Sequence, residues 1–274
     1  MMWASRPNPA LSSKHAYPFR LGSTSYVYPG DLVHNAERLA GQVDDIELVL
    51  FDLSDEQHNL PDAATIKRLA QIGRDYGLSY TVHLPFDIQP DHTPLKPLHR
   101  QPPRPQSPLG MARWTIQQCQ SLNPYAYVFH LHTDHAGSPD WTEQMIAAMN
   151  DLRAAVDDPE RLTLENLESY PPDYLEPIFS AVPIRRALDI GHLWKQGRDP
   201  LPIMDRWLDQ TRVIHLHAMH EYDHRSLQLA PAKLLDDVVQ RLTGWSGVLT
   251  LEVFEDDFFS SREALAESWL RIQG

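Results

Sequence analysis

The sequence predicts a single-domain α/β fold, a (β/α)8 TIM barrel, from three observations. Eight apolar or β-rich runs occur in order along 274 residues. A helical pattern follows each run, which argues for parallel strands joined by crossover helices. The length is ordinary for one such barrel, and neither a linker nor a longer internal repeat divides it.

The predicted strands lie at 19–29, 45–52, 78–85, 126–132, 161–168, 186–193, 212–220 and 247–254. The predicted helices lie at 31–41, 61–76, 108–121, 138–156, 173–180, 200–209, 231–242 and 260–272, the fifth being weakly patterned. Pro61-Asp62 and Ser138-Pro139-Asp140 are helix start signals. A doubly wound open sheet is the rival, and the missing Gly-rich turn after the first strand counts against it. Residues 1–18 read as a polar lead-in and 19–274 as the barrel. The long Pro-rich segment 86–107 follows the third strand and is expected to lie over the carboxyl-end mouth.

Composition narrows the partners. The chain carries 24 Lys+Arg against 37 Asp+Glu, a net charge of −13. That balance repels nucleic acid and anionic membranes, so neither is an expected partner. No apolar run is long enough to span a membrane, and the amino terminus lacks the apolar centre of a signal peptide. With one cysteine, Cys119, no internal disulfide can form, and a cytoplasmic location is expected. Cys119 falls in a helical pattern and reads as inert packing.

The chemistry gathers at the strand ends. They carry His83, His130 and His132, Glu165, Asp189 then His192, His215 and His217 with His224 beyond them, and Glu252. In a barrel all of these meet around one mouth. Judged singly, each acid within an apolar strand has a structural ion pair as its rival explanation, and a lone strand histidine is more often a satisfied core or surface residue than a ligand. Jointly, a ring of imidazoles and carboxylates needs neutralising, and divalent cations do so; the donor set suits zinc, with manganese or iron as alternatives. Alternation along a strand points His130 and His132 one way, and likewise His215 and His217. Taking one ligand per pair, His130 and His215 are assigned to metal, and His132 and His217 to orienting ligands or touching substrate.

The segments LGSTSYVYP, VDDIELVLFD, YTVHLP, FHLH, LEN, LDIGH, IHLH, DHRSL and LEVF together resemble the apurinic endonuclease type 2 / xylose isomerase-like TIM-barrel superfamily. The TSY…P opening, VDDIELVLF and TVHLP are most similar to the cobamide-remodelling phosphodiesterases. The resemblance implies one ion on His83, His130 and Glu165, and a second on Glu165, Asp189, His215 and Glu252. A third would sit on His192 and His224, making two or three divalent ions per chain. There the family's Asp-x-His pattern is broken: Tyr222 holds the acid position and Asp223 is displaced by one.

What this implies is hydrolysis of the nucleotide-loop phosphodiester of a cobamide, with Glu165, Asp189 and Glu252 at the reacting centre and no covalent nucleophile. Tyr26, Tyr28, Trp194 and Phe254 are expected near the corrinoid. Two alternatives stand beside this reading. A single-metal sugar isomerase or epimerase would need only Glu165, Asp189, His215 and Glu252, and a non-catalytic corrinoid or metal carrier would need no reaction at all.

Overall fold

The computed structural model describes residues 15–89, 104–131 and 138–274. Eight parallel strands close into a barrel: β1 (Arg20–Thr24), β2 (Asp45–Val49), β3 (Ser79–His83), β4 (Ala126–Phe129), β5 (Leu162–Glu165), β6 (Arg185–Asp189), β7 (Thr211–Leu216) and, after a hairpin, β10 (Val248–Leu251), which pairs with β1. The hairpin is β8 (Ala218–His220) with antiparallel β9 (Tyr222–Arg225). The helices are α1 (Leu32–Leu39), α2 (Ala63–Tyr76), α3 (Pro108–Cys119), α4 (Pro139–Arg153), α5 (Glu176–Ala181), α6 (Ile190–Lys195), α7 (Leu201–Trp207), α8 (Ala232–Arg241) and α9 (Glu255–Gln273). This is the expected single-domain TIM barrel.

The register explains the interior. Pairing places Glu47 beside Thr24 and Thr81, Val49 beside His83, Thr163 beside Val128, and Asp189 beside His215. These residues lie two apart along each strand, so they form the inward-facing set. Lower in the barrel that set contributes Ala126, Val128, Ala187 and Val213, which pack as their own buried cluster. Tyr125 lies against this cluster, with the guanidinium groups of Arg20 and Arg212 each over its ring. The opposite strand faces pack against the helices in the main core, where Phe129, Leu164 and Ile214 sit fully or almost fully buried.

Side-chain caps begin the helices where the sequence signals them. Asp62 accepts from the Thr65 N–H at the start of α2, and Ser138 from the Trp141 N–H at the start of α4. Several boundaries differ from expectation, three of them at the site. The run 186–193 is a strand only as far as Asp189, whose side chain caps α6 by accepting the His192 N–H at 2.6 Å. The run 212–220 breaks at His217, because the chain turns there into the β8–β9 hairpin. The last helix starts at Glu255 rather than 260, its first turn holding Glu255, Asp256 and Asp257, which complement the helix dipole.

Residues 1–14 of the expected lead-in and 90–103 of the expected loop over the mouth lie outside the described residues. At the edges of that loop, Ile88 bridges to Leu131, and Arg104 donates to Asp52 Oδ1 at 3.0 Å. Among the described residues no helix is long and apolar enough to cross a membrane.

Candidate metal centre

Strands β3 to β7 and β10 each deliver an ionisable residue at or just beyond the carboxyl end. The β5–β6 junction is tied first. Asn166 accepts the Asp189 N–H through Oδ1 at 2.9 Å and donates Nδ2–H to the Asp189 carbonyl at 3.1 Å. That reciprocal pair explains the Asn of LEN. It sets Glu165 and Asp189 side by side, both buried.

Glu165 divides its two oxygens between neighbours. Oε2 lies 3.0 Å from His130 Nε2 and 3.5 Å from His83 Nε2, while Oε1 lies 3.0 Å from His215 Nδ1. Burial alone would raise the Glu165 carboxyl, but His215 and His130 outweigh it and hold the group well below the usual carboxylate range. Glu252 is held low in the same way, chiefly by His215 against the opposing effect of burial. Conversely, burial opposes protonation of His130, yet Glu165 and Asp87 prevail and push its pKa up to about 10.

The ligand atoms of His83, His130 and Glu165 lie within 4.8 Å of one another, and so do those of Glu165, Asp189, His215 and Glu252. These are the two groups expected for the first two ions. The buried oxygens Asp189 Oδ2 and Glu47 Oε1 have no hydrogen-bond partner. Nitrogen and oxygen donors around orphaned buried carboxylate oxygens fit a divalent cation.

The imidazoles are also aimed. His83 directs Nδ1 to the Leu84 carbonyl (3.1 Å), His192 to that of Asn166 (2.9 Å), and His224 to that of Glu252 (3.1 Å). His130 Nδ1 faces Asp87 at 3.3 Å, and His215 Nε2 faces Glu47 at 2.9 Å. A carbonyl only accepts, so in neutral His83, His192 and His224 each contact places the proton on that nitrogen and leaves the other for a cation. His130 and His215 face carboxylates through both nitrogens, Glu165 lying 3.0 Å from the second in each, and there a cation would replace the proton on the Glu165 side.

His217 runs the opposite way. Its Nδ1 lies 3.0 Å from the His224 backbone N–H and 3.4 Å from the Ala218 carbonyl. The shorter contact requires a lone pair on Nδ1, so the neutral ring carries its proton on Nε2, 3.4 Å from Asp189 Oδ1. His217 thus stands behind Asp189, although its buried Nε2 makes no hydrogen bond, and proximity groups it with Asp189 and His192, and with His224 and Glu252. It stands between the expected third-ion ligands, with ring centroids 5.9 Å from His192 and 4.4 Å from His224. Of the two roles expected for it, orienting a ligand suits a side chain that is fully buried. Its ring presses on Gly191, where an added Cβ would fall 2.1 Å from Cε1. This close approach accounts for the glycine of LDIGH. His224 has φ +54°, an uncommon backbone state for a residue other than glycine, and that state directs its N–H at His217.

Of the remaining expected residues, Tyr26 reaches the mouth. Its hydroxyl is held well above the ordinary tyrosine range by burial and then by Glu252, and its ring centroid lies 4.7 Å from that of Phe254. Trp194 lines a depression of about 370 Å³ with Arg198, Met219 and Leu234. His132 lies outside the described residues. Asp223 pairs with Lys195 at 2.6 Å. Sequence reasoning overlooked Glu47, Asp87 and Glu168, the last 3.7 Å from His192 Nε2. Glu47 carried the same signal as Asp189, an acid inside an apolar strand; Glu168 closed the run expected as a strand at 161–168 but lies in a turn beyond β5, and Asp87 sits in a loop and carried no signal.

The fold and this ring define a TIM barrel with a metal-type centre at its carboxyl-end mouth. Residues 37–272 match the family described as the xylose isomerase-like TIM barrel, and the chain belongs to that family. Among solved structures it is similar to a D-tagatose 3-epimerase-like protein, at 19% identity over 93% of this chain and 98% of that one, with a TM-score of 0.70. It is similar also to an L-ribulose 3-epimerase, at 17% identity over 93% and 95% with a TM-score of 0.66. A third is a D-psicose 3-epimerase from Clostridium cellulolyticum H10 in complex with D-tagatose, at 11% identity over 93% and 98% with a TM-score of 0.61. At these identities the likeness is one of fold. Their names stand closer to the epimerase alternative than to hydrolysis, and nothing in them points to a cobamide-remodelling family. No curated protein matches the chain in sequence.

Proposed function

We propose that this chain is a metal-dependent phosphodiester hydrolase working with more than one cation, and that its substrate is the nucleotide loop of a cobamide. The observation that carries the hydrolase reading is the divided Glu165, with Oε2 toward His83 and His130 and Oε1 toward His215. A single-ion site formed by Glu165, Asp189, His215 and Glu252 has no use for His83 and His130. A carboxylate facing two donor groups is suited to joining two cations. Divalent ions held there would neutralise the phosphate and acidify water. The chain's own part is positional. Asp87 and the Leu84 carbonyl orient His130 and His83, His217 stands behind Asp189, and Tyr26 with Phe254 offers an aromatic wall beside Glu252. The cobamide rests on the resemblance of VDDIELVLF and TVHLP, and the net charge of −13 is ill suited to a long polyanion.

The second reading, a single-metal sugar epimerase, is supported by the names of the solved neighbours. In that case Glu165 and Glu252 would move a proton beside a carbonyl. One experiment divides the two. Zinc- or manganese-loaded protein is incubated with cobalamin, and separately with ketohexoses in deuterated water. Release of a riboside from the cobamide without deuterium entering the sugar supports hydrolysis. Deuterium exchange at a ketose carbon with the cobamide intact supports epimerisation and overturns the main reading.

A further inference from the structure

One buried charge belongs to neither reading. Glu47 lies on β2 inside the barrel and is fully buried, as are His215 and Thr250. Its Oε2 accepts from His215 Nε2 at 2.9 Å and from the Thr250 hydroxyl at 3.2 Å, while Oε1 has no partner. Burying a carboxylate is costly, and a pair made only for packing is replaced by apolar residues with little loss. A positional duty explains why the charge is here. With Nε2 committed to Glu47, the other nitrogen of His215 faces the cation group: Nδ1 lies 3.0 Å from Glu165, 3.3 Å from Glu252 and 3.9 Å from Asp189. His83, His192 and His224 have neutral backbone carbonyls behind them, and His130 has Asp87, which is about half exposed. His215, at the centre of the four-residue group, has a buried carboxylate.

We infer that Glu47 is the positioning residue for His215, fixing its proton on Nε2 and presenting the Nδ1 lone pair to the cation held with Glu165, Asp189 and Glu252. The assignment rests on the reading that this group holds a cation, which the hydrolase and epimerase readings share. A carboxylate behind a ligating imidazole fixes its tautomer and raises its basicity, and losing such a partner costs about 10–100-fold in metal affinity. Strand pairing supports the reach. Thr250 lies beside His215 on β10 and β7, so one carboxylate oxygen serves neighbours on two adjoining strands.

Zinc is titrated into the full ion-free chain as wild type, Glu47→Gln and Glu47→Leu, with chelator competition. The His215 ring nitrogens are read by long-range proton–nitrogen correlation, and thermal unfolding without zinc checks that each variant folds. The wild type is expected to hold zinc with Nδ1 coordinated and Nε2 protonated. Gln keeps an acceptor without the charge and is expected to weaken zinc about tenfold; Leu removes both and weakens it about a hundredfold. A purely structural Glu47 would shift unfolding and leave the tautomer and zinc affinity alone. Equal zinc affinity in wild type and Glu47→Gln, or coordination of wild-type His215 through Nε2, overturns the assignment even should the Leu variant fail to fold. A wild type that takes up no zinc overturns the cation reading itself, and Glu47's role with it.

Discussion

The two ends of the barrel interior are built from the same strands and do opposite work. Below the mouth Ala126, Val128, Ala187 and Val213 fill the space, with Tyr125 held between Arg20 and Arg212. One alternation further along, β6 changes from Ala187 to Asp189 and β7 from Val213 to His215. Two residues of sequence, a rise of about 7 Å, thus separate a plug from a centre of charge. The plug lets the acids converge. Without it water would reach the barrel axis and the carboxylates would gain little from pairing or from a cation.

The largest break in this contrast is expected from Glu165→Gln. It removes a shared carboxylate at the mouth with almost no change of volume. Turnover should fall by more than the roughly hundredfold that loss of an outer partner costs, with the unfolding transition of the ion-free chain retained. Turnover kinetics beside calorimetry check both halves. Gly191→Ala is expected to act next most strongly, because its Cβ would meet the His217 ring at 2.1 Å. Displacing that ring from Asp189 should lower turnover about tenfold, and the kinetics of the purified variant measure it.

Below the mouth the sign of the contrast reverses. Val213→Ala deletes buried apolar volume and is expected to cost about 2 kcal/mol in urea unfolding, with zinc affinity unchanged. Weakened zinc binding in that variant would show that plug and centre are coupled.

The smallest effect is one of slope. His130 has a folded pKa raised to about 10 by Glu165 and Asp87 against the effect of burial. Its ordinary value is about 6.5. A raised histidine stabilises the ion-free fold fully below the unfolded value, and that contribution is lost as pH climbs toward the folded one. The ion-free chain should therefore lose stability from about pH 6.5 toward 10. A bound ion displaces the proton, so affinity and ion-linked stability should rise over the same window. Thermal scans with and without zinc across that range are expected to diverge; parallel curves would remove His130 from the ligand set.

All eight barrel strands were legible, because a strand with helices behind it and a filled barrel before it is buried on both faces and reads as an apolar run. So were the residues of the two main ligand groups, since acids within apolar runs have few other places to go. The β8–β9 hairpin was not, because MHEYDHR continues the polar alternation of the strand before it and only the turn at Glu221, with φ +61°, breaks the run. Glu47 was overlooked although DIELV carries it openly. Its partner His215 lies 168 residues away, and only the closed barrel brings them together. The direction of the His217 ring was beyond reach, because it depends on a single backbone N–H from His224.

The central claim is that Glu165 joins two cations. Anomalous diffraction at the zinc edge, on crystals of the zinc-loaded chain, tests it most directly. Two peaks are predicted, one touching His83, His130 and Glu165 Oε2, the other touching Glu165 Oε1, Asp189, His215 and Glu252. One peak confined to the second group in an enzyme of full activity, or none at all, would contradict it.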